Sequence, residues 1–315
     1  MALDLINLAL TEKKYIQSRV PGKVFLVGEY LSNYGGGAIV SAVGSEFILN
    51  GHQNQSEYAD SKMPFHPKSP AGQILESISI KDWNFQWIDP YCGAGGLGGS
   101  TAEFVAAYSL NASVKDVTTV SREYRTLFEN LPEHQMPSGY DLVTQLRGGL
   151  VYYRSKKDKL IDLDFEWLRD HIKFYRATDS LGRKVDTHTH LGSWTGFHVA
   201  EIDRLNSISE SALSSCINQD LDWFAFQLEE YRQALAKLGL ESEDSKIDSN
   251  IFRSAEGVLA VKGCGAMLSD VILVVADFKD LERWRYVDAI AYDRGLVPID
   301  QSLLFVRGAS VKVNT

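Results

Sequence analysis

The segment Tyr91-Cys-Gly-Ala-Gly-Gly-Leu-Gly-Gly-Ser-Thr-Ala-Glu-Phe104 sets the strongest constraint on this chain. Five glycines fall within seven residues, directly ahead of an apolar stretch with helical spacing. Glycine tolerates positive φ and lets the backbone come close to a ligand. The helix that follows presents unpaired N–H groups and the positive end of its dipole. Such a segment builds either an anion site at the start of a helix or a tight connection between two elements, and its own residues leave both readings open.

At 315 residues the chain has room for two domains or one large one. Gly22 to Gly28 reads as a short apolar strand entered through Pro21, and Ala38 to Val43 as a second one after glycines 35 to 37. Residues 53–70 are polar and carry Pro64, Pro67 and Pro70, which predicts a loop, with a helix from about Gly72 to Ile78. Phe104, Val105 and Tyr108 share one face of a helix over 100–110 that Ser100 or Thr101 would cap. A second capped helix spans 137–147, is stopped by Gly148-Gly149, and leads into a strand at 150–154. Further strands are expected at 172–177 and 270–276, and helices at 188–206, 220–238, 248–258 and 281–294. The shift towards long helices between Asp164 and Lys173 divides the chain into domains of residues 1–168 and 169–315.

Composition narrows the functional classes. The chain is 44% hydrophobic and 23% charged, an ordinary globular make-up. Its net charge of −9 argues against a general nucleic-acid binder, since phosphate backbones are held by Lys and Arg. Cys92, Cys216 and Cys264 are too far apart for a zinc cage or a disulfide framework, which suits a reducing cytoplasm. The run Val271 to Ala276 is too short to span a bilayer, and Met1 to Ser18 reads as no export signal, so neither membrane nor nucleic acid is an expected partner.

Other stretches stand in register with the glycine segment. Pro21-Gly-Lys-Val-Phe-Leu-Val-Gly-Glu-Tyr30 is followed by Tyr34-Gly-Gly-Gly-Ala38; Gly93 to Ala102 comes next; then Pro137-Ser-Gly-Tyr-Asp141 with Gly148-Gly149; and finally Lys262-Gly-Cys-Gly-Ala-Met-Leu-Ser-Asp270. In this order and spacing, from about residue 19 to 276, the chain resembles the GHMP kinases, named for galactokinase, homoserine kinase, mevalonate kinase and phosphomevalonate kinase. Tyr30 after Gly28-Glu29, where mevalonate kinases usually have His, and Asp270 at the end of the last motif look like the phosphomevalonate kinase branch, with mevalonate kinase next. The resemblance implies a two-domain α+β fold. Its N-terminal half would be like ribosomal protein S5 domain 2, with a left-handed crossover, and its C-terminal half ferredoxin-like, with ATP and acceptor in the cleft between them.

The resemblance also implies roles. Gly93, Ala94, Gly95, Gly96, Leu97, Gly98, Gly99, Ser100 and Thr101 would form the nucleotide site, with Ser100 ligating Mg²⁺ or donating to a phosphate oxygen. Asp141 would accept the proton of the attacking hydroxyl, and Lys23 would stabilise charge beside it. Glu29, Ser138 and Gly265 are expected at the substrate, a small-molecule alcohol or phosphate monoester. Read without the family, Ser100 is a helix cap, Asp141 a first-turn acid favoured by the dipole, and Lys23 a solvated lysine at a strand end. Glu129 and Glu133 are the candidates for an acidic Mg²⁺ ligand, and either reads equally as a solvated helix acid. Arg147, Arg183 and Lys184 are open candidates for a substrate anion. His188 and His190, two apart, would diverge on a helix and do not suit a metal. The family is often dimeric, so a homodimer is an open expectation.

Two positions depart from the family pattern. Gly99 stands where the first of a pair of serines is usual, and Met267-Leu268-Ser269 replaces a run of glycines. They raise two alternatives, a catalytically weak ligand-sensing protein and a kinase for a sugar or another alcohol.

Overall fold

The computed structural model describes residues 15–53, 63–77, 83–111, 116–129, 136–178, 196–265, 268, 271–278 and 281–314. Glu133, Arg183, Lys184, His188 and His190, and Met267, Ser269 and Asp270 of the last motif, lie outside the described residues.

Strands β1 (Tyr15–Val27), β2 (Ala38–Gln53), β3 (Trp83–Ile88), β4 (Leu150–Arg154), β5 (Lys159–Leu163) and β10 (Ser310–Asn314) form one sheet in the order β10-β1-β2-β4-β5, with β3 also paired to β2. Every pairing in it is antiparallel. Because β1 takes one edge of β2 along most of its length, β3 and β4 share the other edge end to end. The last strand thus returns to the first sheet, and a bridge between Gly148 and Arg307 fastens this returning segment beside β4.

β1 and β2 run well beyond the expected 22–28 and 38–43. From Tyr15 to Arg19 half-buried Tyr, Gln and Arg alternate with buried Ile16 and Ser18, a period of two in which a buried serine interrupts the apolar signal. From Val20 onward every residue of β1 is buried.

A second antiparallel sheet is built from β6 (Ile172–Ala177), β7 (Val258–Cys264), β8 (Val271–Ala276) and β9 (Leu296–Pro298), in the order β7-β8-β6-β9. All of β8 is buried, as its unbroken apolar run requires. The helices are α1 (Pro70–Ser77), α2 (Gly99–Asn111), α3 (Val117–Thr126), α4 (Tyr140–Arg147), the single turn α5 (Glu166–Arg169), α6 (Val199–Asn218), α7 (Leu221–Lys237), α8 (Glu243–Arg253) and α9 (Leu281–Asp293).

Two helix expectations need correction. The helix read as ending at Asn206 continues to Asn218, where Gln219 turns into the left-handed region, and its capping box of His198 and Glu201 sets its start. The helix read over 248–258 spans Glu243–Arg253, because Ser242 caps it by accepting from the Ser245 N–H and Val258 already opens β7. Among the described residues no helix is long and apolar enough to cross a membrane.

One apolar cluster joins the two sheets. It includes Val24 and Leu26 of β1, Phe104 of α2, Leu213 of α6, Phe224 and Leu228 of α7, and Leu273 of β8. The two sheets therefore share a core beneath the cleft described next.

Candidate active site

The glycine segment is held by specific bonds. Asp89 accepts from the N–H of Tyr91 at 2.8 Å and of Gly93 at 2.7 Å, and the Tyr91 hydroxyl donates to the Ser45 carbonyl at 2.8 Å. Farther along, the Leu97 carbonyl accepts from the Lys23 N–H at 3.1 Å, and the Gly98 carbonyl accepts from Gln145 Nε2 at 3.1 Å. Gly98 has φ +80, and a Cβ there would lie 2.9 Å from Lys23 Cγ and 3.0 Å from Gln145 Nε2, so strain and crowding both demand glycine. α2 closes its first turn with Ala102 N–H donating to the Gly98 carbonyl at 2.9 Å. The N–H groups of Gly99, Ser100 and Thr101 precede that first bond and belong to the helix's anion-attracting end.

Opposite the loop stand Lys23 and Asp141. Lys23 comes from the buried half of β1, and Asp141 from the first turn of α4, which begins at Gly139 with φ 82. Lys23 Nζ lies 3.3 Å from Asp141 Oδ2, with the lysine side chain 9% and the aspartate 28% exposed. The lysine is thus fixed in the wall while the carboxylate stays open to a ligand. Lys23 Nζ also sits 4.9 Å from the centre of the Phe25 ring. Gln145 lies one helical turn beyond Asp141, so α4 carries the carboxylate and grips the glycine loop with the same face.

Just past β1, Glu29 is buried against Lys262 of β7. Lys262 Nζ donates to Glu29 Oε1 and to the Gly263 carbonyl at 3.0 Å, and lies 3.6 Å from Cys264 Sγ. Tyr231 of α7 donates to the Glu29 carbonyl at 2.9 Å. Burial pushes the Glu29 carboxyl above the usual carboxylate range, although Lys262 pulls it back. Burial works against the Lys262 ammonium, yet Cys264 and Glu29 more than offset it and hold its pKa above the usual lysine value. The second carboxylate oxygen, Glu29 Oε2, is buried and has no hydrogen-bond partner.

Lys23, Glu29, Asp89, Asp141 and the glycine loop line one cleft of about 590 Å³. Of the residues singled out in the sequence, Lys23, Glu29, Gly93, Ala94, Gly95, Gly96, Gly98, Gly99, Ser100, Thr101, Ser138, Asp141 and Gly265 are brought together there. Leu97 is not at the surface of the cleft; it is fully buried and contributes its carbonyl to Lys23. Glu129 is placed elsewhere: it follows the end of α3 at Thr126 and lines a separate depression of about 310 Å³ with Arg122, Arg125 and Ser155. Arg147 faces outward and pairs with Asp162 through bonds of 2.8 and 2.5 Å.

Sequence reasoning missed Asp89 and Glu103. Both line the cleft, and burial followed by the charge of Asp89 raises the Glu103 pKa. The available signal was spacing: Glu103 follows Ser100 by three positions on α2 and so shares its face. The glycine at position 99 is not forced by packing, since a Cβ there would meet only Phe47, at 3.7 Å. In the last motif Leu268 is buried with φ 55, and its carbonyl lies where any Cβ on Gly263 would fall.

No family model matches the sequence, and no curated protein matches it. Solved structures do. The Methanococcus jannaschii mevalonate kinase has a TM-score of 0.69 at 12% identity, with 97% of this chain and 99% of that chain covered. A Lin0012 protein from Listeria innocua gives 0.67 at 17%, covering 95% and 99%. The Lactococcus lactis galactokinase complexed with galactose gives 0.66 at 11%, covering 99% and 97%. The mixed α+β architecture, with its antiparallel sheets, is that of the GHMP kinase fold over nearly the full length of the chain.

Proposed function

We propose that this protein is an ATP-dependent kinase acting on the hydroxyl of a small molecule. The observation that carries the reading is the Lys23–Asp141 pair, set at 3.3 Å in the same cleft as a glycine cradle that ends in a helix N-terminus. The residues fit a nucleoside triphosphate: Gly98 excludes any side chain where the backbone closes on Lys23, and the first N–H groups of α2 precede its first internal bond. They also fit a hard cation such as Mg²⁺, because the Ser100 hydroxyl and the Asp89 and Glu103 carboxylates offer oxygen donors. Among the described residues no group of three or more His, Cys, Asp or Glu is placed to hold a metal, so phosphate oxygens would complete the coordination.

When bound, ATP supplies the phosphoryl group and Mg²⁺ offsets its charge. The chain's own groups do the rest. Asp141 Oδ2 faces Lys23, and the carboxylate, 28% exposed, is open to accept the proton of an acceptor hydroxyl. Lys23, anchored by its own backbone bond to the loop, keeps its ammonium between the carboxylate and the cradle and stabilises negative charge that develops there. Gln145 fixes the distance between the helix carrying Asp141 and the loop.

Tyr30 and the Lys262–Asp270 segment favour phosphomevalonate or mevalonate as the acceptor. A sugar or another alcohol is the competing reading, favoured by Lys23 being the one basic side chain among the described residues that line the cleft. Similar structures include kinases named for mevalonate and for galactose, which supports the class without choosing between these acceptors. A coupled ADP-release assay over mevalonate, phosphomevalonate, homoserine and common sugars tests the reading. Acceptor-dependent ADP release supports it, whereas failure to bind ATP at millimolar concentration would remove it.

A further inference from the structure

The depression that holds Glu129 is lined by two cations and two anions. Thr118, Ser121, Arg122 and Arg125 stand at i, i+3, i+4 and i+7 on one face of α3, and Glu129 follows the helix end. Tyr153, Ser155 and Asp158 line it from the end of β4 and the turn into β5. Burial, then Tyr140 and Asp158, raise the Tyr153 pKa and Arg125 opposes the rise, so charges of both signs lie within reach of one phenol. Yet among the described residues no ion pair joins Arg122 or Arg125 to Glu129 or Asp158. Opposite charges that share a depression of about 310 Å³ and stay apart leave room for a small ligand that carries both.

We infer that this depression is a second ligand site, which takes a free α-amino acid and acts on the catalytic wall from behind. The binding does not depend on the kinase reading above, whereas the effect on turnover rests on it. The ligand carboxylate accepts from the guanidinium forks of Arg122 and Arg125, its ammonium donates to Glu129 and Asp158, and the hydroxyls of Ser121 and Ser155 offer further bonds. A phosphate would gain the same arginines but meet both carboxylates, and a simple amine would meet the reverse. All four charged side chains are exposed, so affinity should be modest, on the order of 0.1–1 mM.

The start of α4 and α3 itself separate this site from the cleft. Tyr124 of α3 and Gly139 line the cleft, Arg122 and Arg125 line the depression, and a Cβ on Gly139 would lie 3.4 Å from Ser121 Oγ. The ring of Tyr153 lies 4.7 Å from that of Tyr140, which adjoins Asp141, and Tyr140 lies 6.4 Å from Phe25 in the cleft wall. A ligand held against Tyr153 and Ser121 therefore bears on the element that aims Asp141.

Calorimetric titration of the wild-type protein with the common amino acids tests the site. The N-acetyl and amide derivatives of the tightest binder and inorganic phosphate serve as matched probes, and a fluorescent ATP analogue as competitor. At least one amino acid should bind with a Kd of about 1 mM or tighter, both derivatives at least about fivefold more weakly, and the ATP analogue should not displace it. Arg125→Gln and Asp158→Asn should each weaken binding about fivefold or more while thermal stability and ATP-analogue affinity stay unchanged, since both residues are exposed. In the ADP-release assay the amino acid should shift the acceptor KM or kcat at least about threefold, a shift that Arg125→Gln abolishes. No binding at about 10 mM, equal binding of the derivatives, or tighter binding of phosphate overturns the site. Displacement by the ATP analogue assigns the ligand to the cleft and overturns it as well. Binding with unchanged turnover overturns the action on Asp141. Absence of ATP-analogue binding removes the kinase reading, while the titration still decides the site.

Discussion

Glu29 and Lys262 stand 233 positions apart in the sequence and form an ion pair almost wholly out of contact with solvent, with side-chain exposures of 6% and 0%. One comes from the turn after β1 and the other from β7, so the pair fastens the two sheets to each other beneath the cleft.

Removing one partner should therefore cost far more than a surface ion pair does. Lys262→Met leaves the Glu29 carboxylate buried and uncompensated, and should lower unfolding free energy by about 3–5 kcal/mol in urea titrations at neutral pH. The sign with pH follows from burial, which raises the Glu29 pKa in the folded state. Without Lys262 to oppose that rise, the folded variant holds a proton the unfolded chain has released, so its stability should fall as pH rises from 5 to 8 relative to wild type. Equal stabilities, or a variant gaining stability with pH, would refute the assigned pair.

Gly98 and Gly99 should respond oppositely to a side chain. Gly98→Ala meets both positive φ and the Lys23 and Gln145 side chains, and should weaken ATP binding by at least about tenfold. Gly99→Ser has ordinary backbone geometry and ordinary contact with Phe47 at 3.7 Å, so folding and ATP affinity should be kept within about twofold. Thermal unfolding and nucleotide titration of the two proteins check the contrast, and a collapse of the Gly99 variant would show the loop to be shaped differently.

Gln145 ties the helix carrying Asp141 to the loop through the Gly98 carbonyl, and Gln145→Leu removes that bond at nearly constant volume. Its expected effect is a lower kcat with milder change in ATP affinity, because the loop keeps its bonds to Asp89 and Lys23 while its distance from Asp141 loosens. Steady-state kinetics in both substrates separates the two effects. Loss of ATP binding with kcat intact would contradict this role.

The parts of the site that could be read from the sequence are those carried by local chain pattern. The glycine segment, Asp141 in a first helical turn, and Lys23 on a short apolar strand each lie in a compact motif, and the structure brings all of them into one cleft. The Glu29–Lys262 pair was hidden because nothing local marks a partner 233 residues away. Glu103 was hidden because an acid on a helix reads as solvated, whereas here it is half-buried in the wall of the cleft, within the field of Asp89. The first halves of β1 and the far half of β2 escaped notice where buried Ser18 and exposed Ser45 break the apolar alternation. β10, with a lysine and a serine among its five residues, pairs with β1 by tertiary context rather than by its own pattern.

Thiol chemistry gives an independent view of the loop. Burial pushes the pKa of both Cys216 and Cys264 up to about 12, so at pH 8 only roughly one part in ten thousand of either thiol is ionised in the folded protein. Cys92 is exposed and adjoins the glycine cradle at Gly93. Labelling with a disulfide reagent should therefore modify one thiol quickly, and ATP should slow that reaction. Rapid labelling of all three would contradict the burial of Cys216 and Cys264, and indifference to ATP would place the nucleotide elsewhere.

The most direct test of the account is Asp141→Asn, which keeps the shape of the side chain and removes its capacity to take a proton. With an acceptor that supports ADP release in the wild type, the variant should lose turnover by about a hundredfold or more while its ATP affinity changes little. Full turnover in Asp141→Asn would contradict the central claim that this carboxylate, set against Lys23 across from the glycine cradle, receives the acceptor's proton.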